Sequence, residues 1–209
     1  MNFELTPEQA AFRDSVRGFA EKHLRAGALA RAHDPAHPWD VSRLMAQQGL
    51  MGITMPEEDG GQGGTLMDAI LAIEAVALVC PRSADVVQAG NFGPVRVVAE
   101  YGSRDQKARY LQKILRGESV ICVGMTEPEA GSAVTDLKIT AAPDGQGYRV
   151  NGVKVFQTHA SDAEVMLTYV RFGPGVDGIG SVLIPRDAPG FRQGAPSRFV
   201  NGDEWVQTY

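Results

Sequence analysis

Residue types able to hold a polar ligand are concentrated in Val120-Ile121-Cys122-Val123-Gly124-Met125-Thr126-Glu127-Pro128-Glu129-Ala130-Gly131-Ser132. The apolar run with the β-branched Val120, Ile121 and Val123 suits a buried strand, and Pro128 and Gly131 then turn the backbone into a bend. A bend of this kind exposes main-chain N–H groups. Gly131 lets the chain come close to a ligand and Ser132 adds a hydroxyl, so the loop suits an anion or a polar heterocycle. The same composition also suits an ordinary strand-to-loop transition.

A second segment, Tyr148 to His159, reads as two strands joined at Asn151-Gly152, a pair that favours a hairpin turn. Period-two alternation in the second strand predicts Lys154, Phe156 and Thr158 on one face and Val153, Val155 and Gln157 on the other. An aromatic ring and a hydroxyl would then point the same way, able to cover a flat ring system and bond one of its edge atoms.

With these segments in view the sequence resembles the acyl-CoA dehydrogenase flavoprotein family over essentially its whole length. The resemblance rests on Thr126-Glu127-Pro128-Glu129-Ala130-Gly131-Ser132, on Asn151-Gly152-Val153-Lys154 and on the upstream loop Met55-Pro56-Glu57-Glu58-Asp59-Gly60-Gly61-Gln62-Gly63. Ala133 stands where the family usually has Asp, Phe156 where Trp is common, and His159 where Asn is common.

The resemblance implies α,β-desaturation of an acyl-CoA thioester with hydride transfer to N5 of FAD. It implies that backbone groups of Val123, Gly124, Met125 and Thr126, with the Thr126 hydroxyl, contact the flavin pyrimidine edge. Gly131 and Ser132 would lie by the FAD phosphates, Ser132 also by the pantetheine arm of the substrate. Phe156, Gln157 and Thr158 would complete the cofactor contacts, Phe156 over the ring and Thr158 near N5.

The family's catalytic base is a glutamate of a carboxy-terminal helical domain, and no residue here matches it. Glu127 and Glu129 are not assigned that role, and the isolated chain is expected to be inactive. Electron-transfer flavoprotein is the implied electron acceptor, and the implied assembly is a homo-oligomer or a hetero-oligomer with a helical partner. A non-catalytic flavin-binding, acyl-CoA-binding or structural subunit is the alternative.

The 209 residues, 44% of them hydrophobic, suffice for one large or two small domains. A net charge of −5 and the lack of a sustained Lys/Arg run exclude a general nucleic-acid surface. Cys80 and Cys122 stand far apart in apolar surroundings and read as buried thiols in a reducing compartment. No run is long enough to span a bilayer and the amino terminus lacks the pattern of a leader, so a soluble cytoplasmic protein is expected.

Residues 1–117 read as all-helical. Capping patterns stand at Thr6 with Gln9, Thr65 with Asp68 and Ser103 with Gln106, and Gly49 and Gly117 are the stops. Asp40 is expected to cap a short helix, and Ser83 or Asp85 to start another. Apolar stripes are predicted through Phe12, Val16, Phe19, Ala20 and Leu24, and through Ala69, Ile70, Ile73, Ala77 and Leu78. His33 and His37 lie in a proline-bearing loop that suits no metal site.

Residues 118–209 switch to short β runs with turn signals at Asp144-Gly145, Pro174-Gly175 and Pro189-Gly190. The expected fold class is therefore multi-domain α+β: an all-α region followed by a small antiparallel β-sandwich or barrel, incomplete at its end, with the carboxy-terminal helical domain absent.

Overall fold

The computed structural model describes residues 4–198, the backbone of 204–208 and the Thr208 side chain. By its internal contacts the chain divides into two compact units, Met1–Val120 and Ile121–Tyr209. The first is helical and the second is built on β-sheets, the class the sequence predicts.

The helical unit comprises α1 (Pro7–His23), α2 (Ala28–His33), α3 (Trp39–Gln47), α4 (Leu66–Ala77), α5 (Pro81–Ala89) and α6 (Pro94–Tyr101). A last helix follows in three segments: α7 (Arg104–Gln106), a π-turn at Lys107–Leu111, and α8 (Gln112–Leu115). Thr6, Thr65 and Ser103 each form the full reciprocal capping box expected of them, because these bonds need only residues three apart. Asp40 does not cap. Pro38 occupies the N-cap of α3 without a side-chain bond, and Asp40 lies in the first turn. Likewise α5 starts earlier than expected, at Pro81, whose missing N–H and fixed φ suit the first helical position.

Val16 and Ala20 of α1 and Leu24 at its C-cap enter the core as predicted, with Phe12 and Phe19 packed against it. The stripe on α4 is different. Ala69, Leu71, Ala72, Ala75 and Val76 are buried, whereas Ile70 and Leu78 are exposed. An almost wholly apolar helix gives periodicity no contrast to read, and packing against both α1 and α5 selects the alanine face, which admits close backbone approach.

The glycine-rich loop after α3 spends its main-chain donors on itself: Gly61 N–H donates to Pro56 O, Gly63 to Met55 O and Gly64 to Ile53 O. Its Asp59 is gripped twice, by Lys107 Nζ on the carboxylate (2.7 Å) and by Gln112 Nε2 on the carbonyl (2.8 Å). Lys107 and Gln112 are five apart, the spacing that a π-turn brings onto one face.

The β unit holds β1 (Ile121–Gly124), β2 (Thr140–Asp144), β3 (Gly147–Asn151), β4 (Lys154–Thr158), β5 (Val165–Arg171), β6 (Ile179–Pro185), β7 (Ser197–Arg198) and β8 (Glu204–Thr208). One sheet centres on β5. Antiparallel β6 pairs along it, while β1 and then β2 pair with it in parallel, so this sheet is mixed rather than antiparallel throughout. The second sheet runs β4-β8-β7, antiparallel.

Asp144-Gly145 does turn the β2–β3 hairpin, with Gly145 at φ 62°. Asn151-Gly152 does not make a hairpin. β3 pairs with β2 and β4 lies in the other sheet, so this dipeptide is a crossover between sheets. A two-residue I′ turn needs positive φ at both positions, and only Gly152 has it, at 147°. The Ile139 side chain fills the space beside Gly152, with Cγ1 2.5 Å from where a Cβ would stand.

Two glycines separate turn chemistry from indifference. Gly117 has φ 68° and a Cβ there would meet the Ser42 carbonyl, so Gly117→Ala should destabilise by more than about 1 kcal/mol. Gly18 lies exposed within α1 with open space around it, and Gly18→Ala should stabilise by about 0.5–1 kcal/mol. Urea denaturation of both variants checks the pair of signs.

Candidate functional site

The apolar strand and small-residue bend predicted from Val120 onward are β1 and the loop that follows it. Gly124 closes the strand, and a Cβ added there would stand 2.9 Å from Gln157 Nε2 and 3.3 Å from Lys154 Cγ. Strand β4 therefore lies directly against the end of β1, and a side chain at position 124 would force them apart. Main-chain bonding continues the contact: Val155 N–H donates to Thr126 O at 2.9 Å. The two segments singled out in the sequence thus come together.

Beyond Thr126 the chain makes a tight turn in which Glu127 and Ala130 exchange backbone hydrogen bonds. The Glu127 carboxylate then accepts from the amides of Lys138 (2.7 Å) and Ile139 (3.2 Å), closing the loop on itself. Arg171 secures the returning limb, donating to Leu137 O and Thr135 O. Gly131 and Ser132 remain exposed at the apex, and nothing lies within 4 Å of where a Gly131 Cβ would be. No packing constraint within the fold requires glycine there.

Strand β4 departs from simple alternation. Its pairing with β8 shifts by one residue between Lys154 and Gln157, and Phe156 within that bulge has φ 58°. The extra residue puts Lys154 and Gln157 on the same, interior side; both are buried, at 2% and 0% exposure. Phe156 is 55% exposed and Thr158 half-buried. The expectation that Lys154 shares a face with Phe156 and Thr158 is therefore corrected by the bulge, which period-two counting does not register. Gln157 turns its amide onto Met166 Sδ at 2.8 Å, so its side chain belongs to the interior.

Lys154 is the residue that sequence reasoning missed. Its Nζ bonds Met125 O and Glu127 Oε1, both at 2.9 Å, forming a buried ion pair at the strand end. The available signal was the single lysine of an apolar strand motif together with the two glutamates just past another apolar strand. Burial alone would raise the Glu127 carboxyl, but the Lys138 amide, the Lys154 ammonium and the Ile139 amide outweigh it and hold it below its ordinary value. Burial lowers the Lys154 ammonium, with Glu127 opposing. Glu129 is exposed and paired with Lys138. Neither carboxylate is disposed as a general base.

His159 also has positive φ, 64°, and its carbonyl accepts from the amides of Asp162 and Ala163. Cys122 is buried and burial pushes its thiol up to about 12, and Cys80 is likewise buried and free. His37 bonds Ser42 Oγ at 2.8 Å and packs against Trp39, which gives it a structural part.

Family models match both units: "Acyl-CoA dehydrogenase, N-terminal domain" over residues 6–118 and "Acyl-CoA dehydrogenase, middle domain" over residues 122–202. The chain belongs to the acyl-CoA dehydrogenase family. It is 31% identical to the short-chain specific acyl-CoA dehydrogenase of Clostridium acetobutylicum, covering 93% of this chain and 52% of that protein. It is 30% identical to a 3-sulfinopropanoyl-CoA desulfinase of Paraburkholderia xenovorans, covering 96% of this chain and 52% of that protein. The FAD complex of PigA superposes with a TM-score of 0.88 at 26% identity, covering all of this chain and 56% of the other. This chain thus spans about half the length of the curated relatives it matches.

Removing one partner of the buried pair, as in Lys154→Ala, should cost about 3–5 kcal/mol in urea denaturation. The native Glu127 value lies below its unfolded one, so its contribution is present above about pH 4.3 and is lost as pH falls through the lowered native value. A urea midpoint that stays flat down that acid limb would reject the pairing. His159→Asn, a residue that tolerates positive φ, should raise the unfolding free energy measured in urea by up to about 1 kcal/mol.

Proposed function

We propose that this chain is the cofactor-contacting part of an FAD-dependent acyl-CoA dehydrogenase, completed by further helical sequence from its own chain or a partner. The observation that carries the reading is the Val155 to Thr126 bond, which sets the accessible Phe156 and Thr158 beside the end of β1. A flat heterocycle fits such an arrangement. Phe156 offers a ring face, Thr126 and Thr158 offer half-buried hydroxyls, and the apex at Gly131 leaves room for a phosphate to approach the backbone.

In this reading the backbone of Val123, Gly124, Met125 and Thr126 and the Thr126 hydroxyl meet the flavin edge. Gly131 and Ser132 meet the FAD phosphates, and Ser132 the pantetheine arm as well. Gln157 contributes through its main chain, since its amide is committed to Met166. Bound there, FAD would supply a hydride acceptor at N5 for the β carbon of an acyl-CoA. The protein's part is to orient that ring and exclude water while a carboxylate from the completing helical sequence takes the α proton. Glu127 is held in its ion pair and takes no proton in this scheme.

Electron-transfer flavoprotein is the proposed acceptor and an oligomer the proposed assembly. The relatives act on differently substituted acyl groups by name, so acyl specificity is left to the completing sequence.

Three measurements test this. The isolated chain should take up FAD poorly; a monodisperse sample with stoichiometric yellow FAD would reject the need for completion. In the completed assembly, Thr158→Ala should slow flavin reduction by an acyl-CoA about tenfold or more, and unchanged reduction would remove Thr158 from the site. Gly131→Ala should leave stability within about 0.5 kcal/mol yet weaken FAD binding there, since no neighbour within the chain requires glycine.

A further inference from the structure

Three consecutive residues at the end of β1 are each fastened to β4. Met125 O accepts from Lys154 Nζ, Thr126 O accepts from Val155 N, and the Glu127 carboxylate accepts from Lys154 Nζ. A trans peptide holds its C=O and the following N–H in opposite directions. With the Met125 carbonyl drawn inward to the ammonium, the Thr126 N–H is turned away from Lys154. The next peptide obeys the same rule: the Thr126 carbonyl faces β4 and the Glu127 N–H is turned into its bond with Ala130 O.

The ammonium does more than aim this peptide. A cation on a carbonyl oxygen withdraws electron density from the amide, and in a low-dielectric setting such polarisation strengthens the amide N–H as a donor. Lys154 is 2% exposed and Glu127 6%, so solvent scarcely screens the effect. The β4 bulge makes it possible, because it directs Lys154 inward while Phe156 stays accessible.

We propose that Lys154 is a positioning residue for the cofactor: seated on the Met125 carbonyl and steadied by Glu127, it aims and strengthens the Thr126 N–H as a donor to the flavin's pyrimidine edge. This rests on the reading of the site as an FAD site. A stronger donor at that edge favours the reduced, more electron-rich flavin over the oxidised one, so Lys154 raises the potential without touching the cofactor.

The test compares the unmodified protein, in its completed FAD-bound form, with Lys154→Met/Glu127→Gln, which removes both charges together and leaves no buried ion unpaired. The expected result is an about tenfold smaller preference for reduced over oxidised FAD, a fall of about 30 mV in the two-electron potential. The Thr126 amide proton should also move upfield in cofactor-free protein, and Lys154→Arg, which keeps the cation, should retain most of both properties. Lys154→Gln/Glu127→Gln keeps a donor for Met125 O without the charge, and gives the same reading if the methionine variant does not fold. A folded charge-free variant with unchanged potential and an unmoved Thr126 resonance overturns the proposal. Failure of the unmodified, completed protein to take up FAD would instead overturn the functional reading, and the Thr126 resonance would still decide whether Lys154 polarises this peptide.

Discussion

The β unit depends on one buried cation meeting one buried carboxylate. Lys154 and Glu127 come from strands of different sheets or their margins, and taking either charge out of water is unfavourable by several kcal/mol unless the other is present. Each therefore enforces the position of the other. The ammonium's second bond fixes Met125, and the carboxylate's further bonds fix Lys138 and Ile139, so a single pair sets both limbs of the loop that carries Gly131 and Ser132. A hydrophobic pair of similar volume would fill the space equally well, but it would leave the amides of 138 and 139 and the carbonyl of 125 without these partners.

That pair could not form on a regular strand. With strict alternation, an inward Lys154 would take Phe156 and Thr158 inward with it, and the ring and hydroxyl would be lost to the interior. The bulge breaks this linkage at the expense of a left-handed Phe156, a conformation that a bulky residue adopts only when its surroundings dictate it. The β8 pairing on both sides of the bulge, at Lys154 with Thr208 and at Gln157 with Val206, provides that constraint. Backbone strain and buried charge are thus parts of one arrangement.

Features decided by neighbours a few residues away were legible in the sequence. The capping boxes at Thr6, Thr65 and Ser103, the glycine stop at Gly49 and the hairpin at Asp144-Gly145 all follow from local bonding. The meeting of the 120–132 stretch with 154–158 followed from a family resemblance, since nothing local links them. Features chosen by distant partners were not legible. The pairing of β3 with β2 and of β4 with β8 makes Asn151-Gly152 a crossover between sheets, α1 and α5 decide which side of α4 is buried, and β8 decides where β4 bulges. Lys154 was invisible as a site residue for the same reason: a lysine on a strand reads as a solvated edge until a carboxylate distant in sequence is placed against it.

The π-turn in the last helix of the helical unit carries a consequence for how that unit can change. Lys107 and Gln112 grip one aspartate only because the helix is widened between them. Tightening Lys107–Leu111 to ordinary α-helical winding at its present length would swing everything beyond it by about 100°. Gln112 would lose Asp59, and the buried Ile114 and Leu115 would be rotated off the core. The turn thus holds one residue more than an α-helix needs to keep Lys107 and Gln112 on one face, since a deletion would set them four apart; the helix is counted as well as composed.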